Sequence, residues 1–258
     1  MKKTLFLLLV LTFFLGFTSC SKTKKLEDAT KMLAASFNSN LGKIVLEEMC
    51  LSPEDLSFDG KDVVVKISVD KSIPSVSNFS FDKWVNKIIV ETILGDNINA
   101  SLLGRVLKTE DHGNPVRDYL NLMEKLDAKF IIEVQAWDGK QTLTMTPGEA
   151  KDILKMPQEK TFICDAASMF LYKYKDLKDR GLVEDIKIDN NTCCINTALA
   201  DKEFVGKLNT LPPFLGYVVL NDLELKINNT IVPKEQVNAD LEEAKQRVLR
   251  VPVEESYR

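Results

Sequence analysis

Apolar residues recur along this chain at two periods, and the switches between them mark its elements. A period of two sends side chains alternately to the two faces of a strand, whereas a period near 3.6 lines them along one stripe of a helix. Alternation flanks four turn signals. At Asp189-Asn190-Asn191-Thr192, asparagines that tolerate positive φ predict a two-residue hairpin, with Ile188 opposite Cys193, Ile186 opposite Ile195, Lys187 opposite Cys194 and Asp185 opposite Asn196. Cys193 then falls on the core face and Cys194 on the polar face. At Trp137-Asp138-Gly139-Lys140, Asp-Gly predicts a second hairpin, pairing Val134 with Leu143, Ile132 with Met145, Gln135 with Thr142 and Glu133 with Thr144. Asp59-Gly60 predicts a third turn, with Leu56 opposite Val63 and the alternation Val63, Val65, Ile67, Val69 beyond it. Asn228-Asn229 predicts a fourth, with Leu225 opposite Val232, and Tyr217 to Leu220 is expected to add a strand nearby.

Helical stripes lie between and after these hairpins. Residues 27 to 49 predict one helix or two, burying Leu33, Phe37, Leu41, Ile44 and Val45. Phe81, Trp84, Val85, Ile88, Ile89 and Val90 mark a helix with a broad apolar face. Asn114-Pro115 opens another, with Val116, Tyr119, Leu120, Met123 and Leu126 inward. Thr146-Pro147-Gly148-Glu149 is a capping box with proline at the first helical position, starting a short helix to about Lys155. Asp201 caps a helix carrying Phe204, Val205 and Leu208, and Pro233 opens a last one with Val237, Leu241, Ala244 and Val248 on one stripe.

Hairpin then helix therefore recurs four times. The fold class predicted is α+β, built of antiparallel β-hairpins each followed by a helix; duplicated ββα units stay open beside a generic α+β arrangement. The uneven spacing of the turns, at 59, 138, 190 and 228, excludes a solenoid of fixed period. Met156-Pro157-Gln158-Glu159-Lys160 is a break between residues 26–157 and 158–250, as two halves or as parts of one domain, with 251–258 left as a tail.

The N-terminus carries a different pattern. Met1-Lys2-Lys3 is basic, Leu5 to Phe17 is apolar but for Thr12 and Gly16, and Thr18-Ser19-Cys20 closes the run. This is the order of a secretory signal over residues 1–19, and 13 residues fall short of the ~20 that a spanning helix needs. Cysteine at the first mature position resembles the lipobox of bacterial lipoproteins, with Phe17 standing where Leu is usual. The resemblance covers this segment alone. It implies acylation of Cys20, residues 20–25 as a lipidated tether with Lys22, Lys24 and Lys25 near headgroups, and residence in the outer membrane facing the periplasm. Ser21 is not the acidic residue that in some bacteria retains a lipoprotein in the inner membrane. The alternatives are the outer leaflet of the inner membrane, or plain secretion.

The remaining chain has the composition of a folded domain, 45% hydrophobic and 28% charged. Its net charge of −4 becomes more negative by the two lysines lost with the signal, which excludes a nucleic-acid partner. Cys50, Cys164, Cys193 and Cys194 are the candidate disulfide participants in an oxidising periplasm, with the pairing left open and a Cys193–Cys194 bond disfavoured by the hairpin register. No metal-binding spacing and no cofactor fingerprint occurs, and the single histidine, His112, lies in a polar stretch without a catalytic motif. No catalytic residue is assigned. Trp137, with Lys140 expected opposite it, is the candidate contact for a protein or glycan partner. The function expected is a non-catalytic, membrane-anchored binding or scaffold lipoprotein. An envelope hydrolase using two carboxyls, or an inhibitor or immunity-type protein, are the alternatives.

Overall fold

The computed structural model describes residues 21–73, 79–95, 97–107 and 113–250, without the side chains of 40, 41, 201, 202 and 248–250. Cys20, the signal, His112 and the tail lie outside the described residues. The described residues open on two helices, α1 (described over 21–37) and α2 (Asn40–Glu47). A hairpin follows, β1 (Leu51–Phe58) and β2 (Val63–Val69), then α3 (Asp82–Leu94), α4 (Asn97–Leu107) and α5 (Pro115–Lys125). The second hairpin is β3 (Phe130–Ala136) and β4 (Gly139–Met145), followed by α6 (Pro147–Ile153). The order then recurs: α7 (Gln158–Ser168), α8 (Phe170–Asp179), hairpin β5 (Asp185–Asp189) and β6 (Thr192–Asn196), α9 (Asp201–Val205), α10 (Pro212–Leu220), hairpin β7 (Glu224–Ile227) and β8 (Thr230–Val232), and α11 (Lys234–Arg250).

The fold is α+β, and its hairpins are joined in pairs. Strands β1 to β4 form one four-stranded sheet in sequence order and β5 to β8 form another. In each, two antiparallel hairpins meet along a parallel central pair, β2 with β3 and β6 with β7. A parallel pair needs a crossover, and the helices between the hairpins supply it. The two halves thus repeat one topology, and the uneven turn spacing comes from extra helices inserted between equivalent strands.

Each sheet buries one face. Val63, Val65 and Ile67 sit beside Phe130, Ile132 and Val134, all inward, and Cys193, Ile195, Leu225 and Ile227 do the same in the second sheet. One continuous buried cluster runs from Leu26 to Leu241 across both halves. The break at 157 separates the sheets and leaves the core whole. Phe79 of the first half packs edge-on against Phe170 and Tyr217 of the second, with ring centroids 5.3 and 6.1 Å apart. The Tyr217 hydroxyl accepts from Ser80 N at 2.9 Å, and Lys83 Nζ donates to Leu220 O at 2.8 Å.

Helix α10 crosses α7 so closely that a Cβ on Gly216 would stand 2.7 Å from Ala166 Cβ and 2.9 Å from Ala167 N. Backbone atoms cannot yield as a flexible side-chain end would. Gly216→Val is accordingly expected to destabilise the protein by about 2 kcal/mol through overpacking. Urea denaturation measures it, and an unchanged midpoint would show that the helices separate freely.

Several expectations need correction. Tyr217 to Leu220 is helical, the last part of α10, and no strand. Proline at its first two positions starts the helix, and burial on nearly all sides removes the periodicity that would have marked it. The second hairpin turns on Trp137-Asp138, so Ala136 faces Gly139, Val134 faces Gln141, Ile132 faces Leu143 and Glu133 faces Thr142. None of the turn residues has positive φ, so the Asp-Gly signal does not set the turn. The first hairpin closes on residues 59–62, where Asp59 Oδ1 accepts from Lys61 N and Asp62 N at 2.8 and 2.7 Å, and pairs Leu56 with Val65 rather than Val63. Ile44 is 52% exposed, because the interruption at Asn38-Ser39 restarts the helical phase and turns Leu46 inward instead. Residues 21–25, expected as a tether, are the opening of α1.

Candidate functional site

Three helices present matched stripes to a cavity of about 520 Å³. On α3 and its C-cap, Ile88, Glu91, Thr92 and Gly95 follow the i, i+3, i+4, i+7 spacing that brings residues to one side of a helix. On α7 and its C-cap, Asp165, Ser168 and Met169 follow i, i+3, i+4. Val45 of α2 and Met49 just beyond it close the apolar wall, Ser36 of α1 adds an edge, and α4 contributes Asn99.

Asn99 ties α4 to the end of α3. Its Nδ2 donates to Thr92 O at 3.2 Å and to Ile93 O at 3.0 Å, carbonyls in the last turn of α3. Those two acceptors fix the orientation of the amide, since the reverse placement would set an oxygen against two oxygens. Asn99 is 1% exposed, and its Oδ1 finds no partner among the described residues. Thr92 Oγ1 is likewise buried without a partner. An unpaired buried polar atom costs roughly 1–3 kcal/mol, and both oxygens are closed off by protein from the cavity as well as from solvent.

At the edge of the cavity stands a buried lysine. Lys87 Nζ lies 2.5 Å from Glu91 Oε2 and 2.6 Å from Asp165 Oδ1, with only 2% of its side chain exposed. Burial disfavours the ammonium, but hydrogen bonds to Asp165 and Glu91 outweigh it and hold the pKa above its ordinary value. The carboxylates themselves are about half exposed. Two negative charges against one positive leave the edge net negative.

The residues singled out from sequence lie elsewhere. Trp137 is 60% exposed in the turn of its hairpin, with Nε1 donating to Ile73 O at 2.9 Å, so its ring is held while a face stays open to solvent. Lys140 is not opposite it; it pairs with Gln135 in the sheet and its Nζ contacts Glu133 Oε1 at 2.8 Å. Lys140 lines a second depression with Glu54, Lys66, Glu133 and Gln135, and the structure does not join it to Trp137.

The β5–β6 register places Cys193 and Cys194 on opposite faces as expected. All four described cysteines are free thiols; Cys50, Cys164 and Cys193 are buried and Cys194 is partly exposed. Desolvation pushes the Cys193 thiol up to about 12 and the Cys50 thiol up to about 11, far from a reactive thiolate. Among the described residues, no three His, Cys, Asp or Glu side chains come together as metal ligands, and no helix is long and apolar enough to cross a membrane.

Sequence reasoning found Ile88 and Val45 as helix-face residues and missed the rest of the cavity. The available signal was Glu91-Thr92, two polar residues interrupting the apolar run from Ile88 to Leu94 in α3. Comparison with known proteins adds nothing to the geometry: no family model matches the chain, and no curated protein or solved structure is detectably similar to it.

Proposed function

We propose that this chain is a lipid-anchored protein of the bacterial envelope that binds a small ligand between α1, α2, α3 and α7 and carries out no reaction on it. The observation that carries the binding reading is the cavity itself, walled by Val45, Met49, Ile88 and Met169 with Glu91, Asp165 and Ser168 among its lining residues. Natural pockets combine apolar walls with a few placed polar groups in this way, at volumes of roughly 300–1,000 Å³. A hydrolase built on Glu91 and Asp165 is disfavoured by position, since Lys87 Nζ fills the space between the two carboxyls where a scissile bond would have to lie. The exposed ring of Trp137 favours a second reading, contact with a protein or glycan partner in the envelope.

Support for the anchor comes from the leader and Cys20. Helix α1 is already formed at residue 21, and Leu26 is fully buried. At about 1.5 Å of rise per residue, a lipid on Cys20 would hold the domain within roughly 10 Å of the headgroups. Outer-membrane residence facing the periplasm follows from the same segment. Cys20→Ser is expected to move the protein from the membrane to the soluble fraction of lysed cells. Retention in salt-washed membranes would overturn the anchor.

A further inference from the structure

We infer that this chain pairs with a second copy of itself along β4, edge to edge and antiparallel, joining the two first-half sheets about a two-fold axis at Thr142. The inference depends neither on the ligand reading nor on the anchor.

The ladder of the second hairpin decides which peptide groups are free. Its two-residue turn is closed by Ala136 and Gly139, a pair that exchanges both backbone bonds. Counting on from it, Gln141, Leu143 and Met145 bond to β3, while the N–H and C=O of Lys140, Thr142 and Thr144 point away from it. These outward groups meet no backbone partner among the described residues. The other three sheet edges are each obstructed. Strand β1 carries Pro53 and a bulge between Pro53 and Asp55. In β5 the outward N–H of Ile186 donates to Asp185 Oδ1 at 2.9 Å. Strand β8 is three residues long. Strand β4 runs for seven residues without proline or bulge, and Lys140, Thr142 and Thr144 are exposed. Such an edge is a template for another strand.

Register and charge select the occupant. With the two-fold at Thr142, that residue faces its own copy and Lys140 faces Thr144 of the partner subunit. All three outward positions then come into bonding register, for about six N–H···O bonds. Threonine pairs well with threonine across strands. The chain carries a net charge of −4, yet β4 holds no acidic residue. Its one charge, Lys140, is met within its own copy by Glu133 Oε1 at 2.8 Å. The two Lys140 side chains start roughly 14 Å apart along the strand, so no like charges are opposed. Trp137, 60% exposed in the turn, comes to the end of the partner's β4 and adds an aromatic contact there.

The test is oxidative cross-linking in cells making the intact protein, read on non-reducing gels against the unsubstituted chain, with sedimentation of the purified protein beside it. A directly opposed, bonded pair has Cα atoms about 5.5 Å apart, within the span of a disulfide. Thr142→Cys is therefore expected to give a linked dimer. Lys140→Cys and Thr144→Cys, each roughly 14 Å from its own counterpart, are expected to stay unlinked when made singly and to link when the two variants are made together in one cell. Thr142→Pro removes an N–H that β3 does not use, at an edge position where proline is tolerated. It is expected to keep the circular dichroism spectrum and to weaken self-association in sedimentation about tenfold or more. Equal linking at 140, 142 and 144 would indicate collision without register and overturn the pairing. So would a Thr142→Cys protein that stays unlinked, an unsubstituted protein that sediments as a monomer at every concentration, or a dimer that survives Thr142→Pro in a folded chain.

Discussion

Phe170→Ala is expected to lower the unfolding free energy by about 4 kcal/mol, as for a large aromatic removed from a closed core. Phe170 has no exposed surface. Its ring stacks on Tyr217 with centroids 4.2 Å apart and meets Phe79 and Phe214 edge-on at 5.3 and 5.2 Å. These neighbours belong to both halves, so the cavity left by alanine opens where the halves join. The hydroxyl of Tyr217 is also fixed there, accepting from Ser80 N, which limits how far the ring can collapse into the space. For a chain of this length 1 kcal/mol corresponds to roughly 2–4 °C, so the midpoint should fall by on the order of 10 °C. The shape of the transition is as informative as its position. With Phe79 bound into the second half's aromatic cluster, both proteins should unfold in a single transition by fluorescence and circular dichroism. Two transitions, with only one moved by the substitution, would show that the halves are independent and that this cluster does not couple them.

How much of this was legible from sequence depends on what each signal encodes. The β5–β6 register was readable because Asn190 and Asn191 take φ of 44° and 70°, the conformation for which asparagine is suited. Next to its turn the β1–β2 register, like the β3–β4 register, differs by two residues from expectation. A shift of two keeps every side chain on its face, so the apolar alternation that identified Val63, Val65, Ile132 and Val134 as core cannot distinguish the registers. The parallel pairing of β2 with β3 and of β6 with β7 leaves no local mark at all, being set by where the intervening helices return the chain. The candidate site was the least visible part. Asn99 and Thr92 are ordinary polar residues in sequence, and their significance arises only because the end of α3 meets the start of α4 over an apolar space. Lys87 lies inside the helix predicted from Phe81 to Val90, yet nothing local shows that Asp165, distant in sequence, reaches it.

The joint replacement Glu91→Gln and Asp165→Asn is expected to destabilise the protein by about 3 kcal/mol, near the lower end of what breaking a buried ion pair costs because the carboxylates are themselves half exposed. The amides keep acceptors near Lys87 Nζ but remove both charges that compensate a side chain with 2% exposure. Lys87→Met should behave differently. It removes the buried charge itself and leaves two carboxylates that water can reach, so its effect is expected to stay within about 1 kcal/mol. Adding Lys87→Met to the double variant should therefore restore most of the lost stability, a non-additivity that identifies the pairing rather than the individual side chains. The pH dependence has a defined sign. Because the folded-state pKa of Lys87 is raised above its ordinary 10.5, the stabilisation is complete below that pH and is lost as the pH climbs through the raised value. In the double variant the uncompensated lysine gives up its proton at a lower pH than in the wild-type protein, so the gap between the two in urea midpoint should be widest at the lower end of the range over which the carboxylates are ionised and narrow as the pH rises towards and through the raised wild-type value. A double variant as stable as the wild type throughout would mean that Lys87 does not rely on these two carboxylates to remain charged inside the fold.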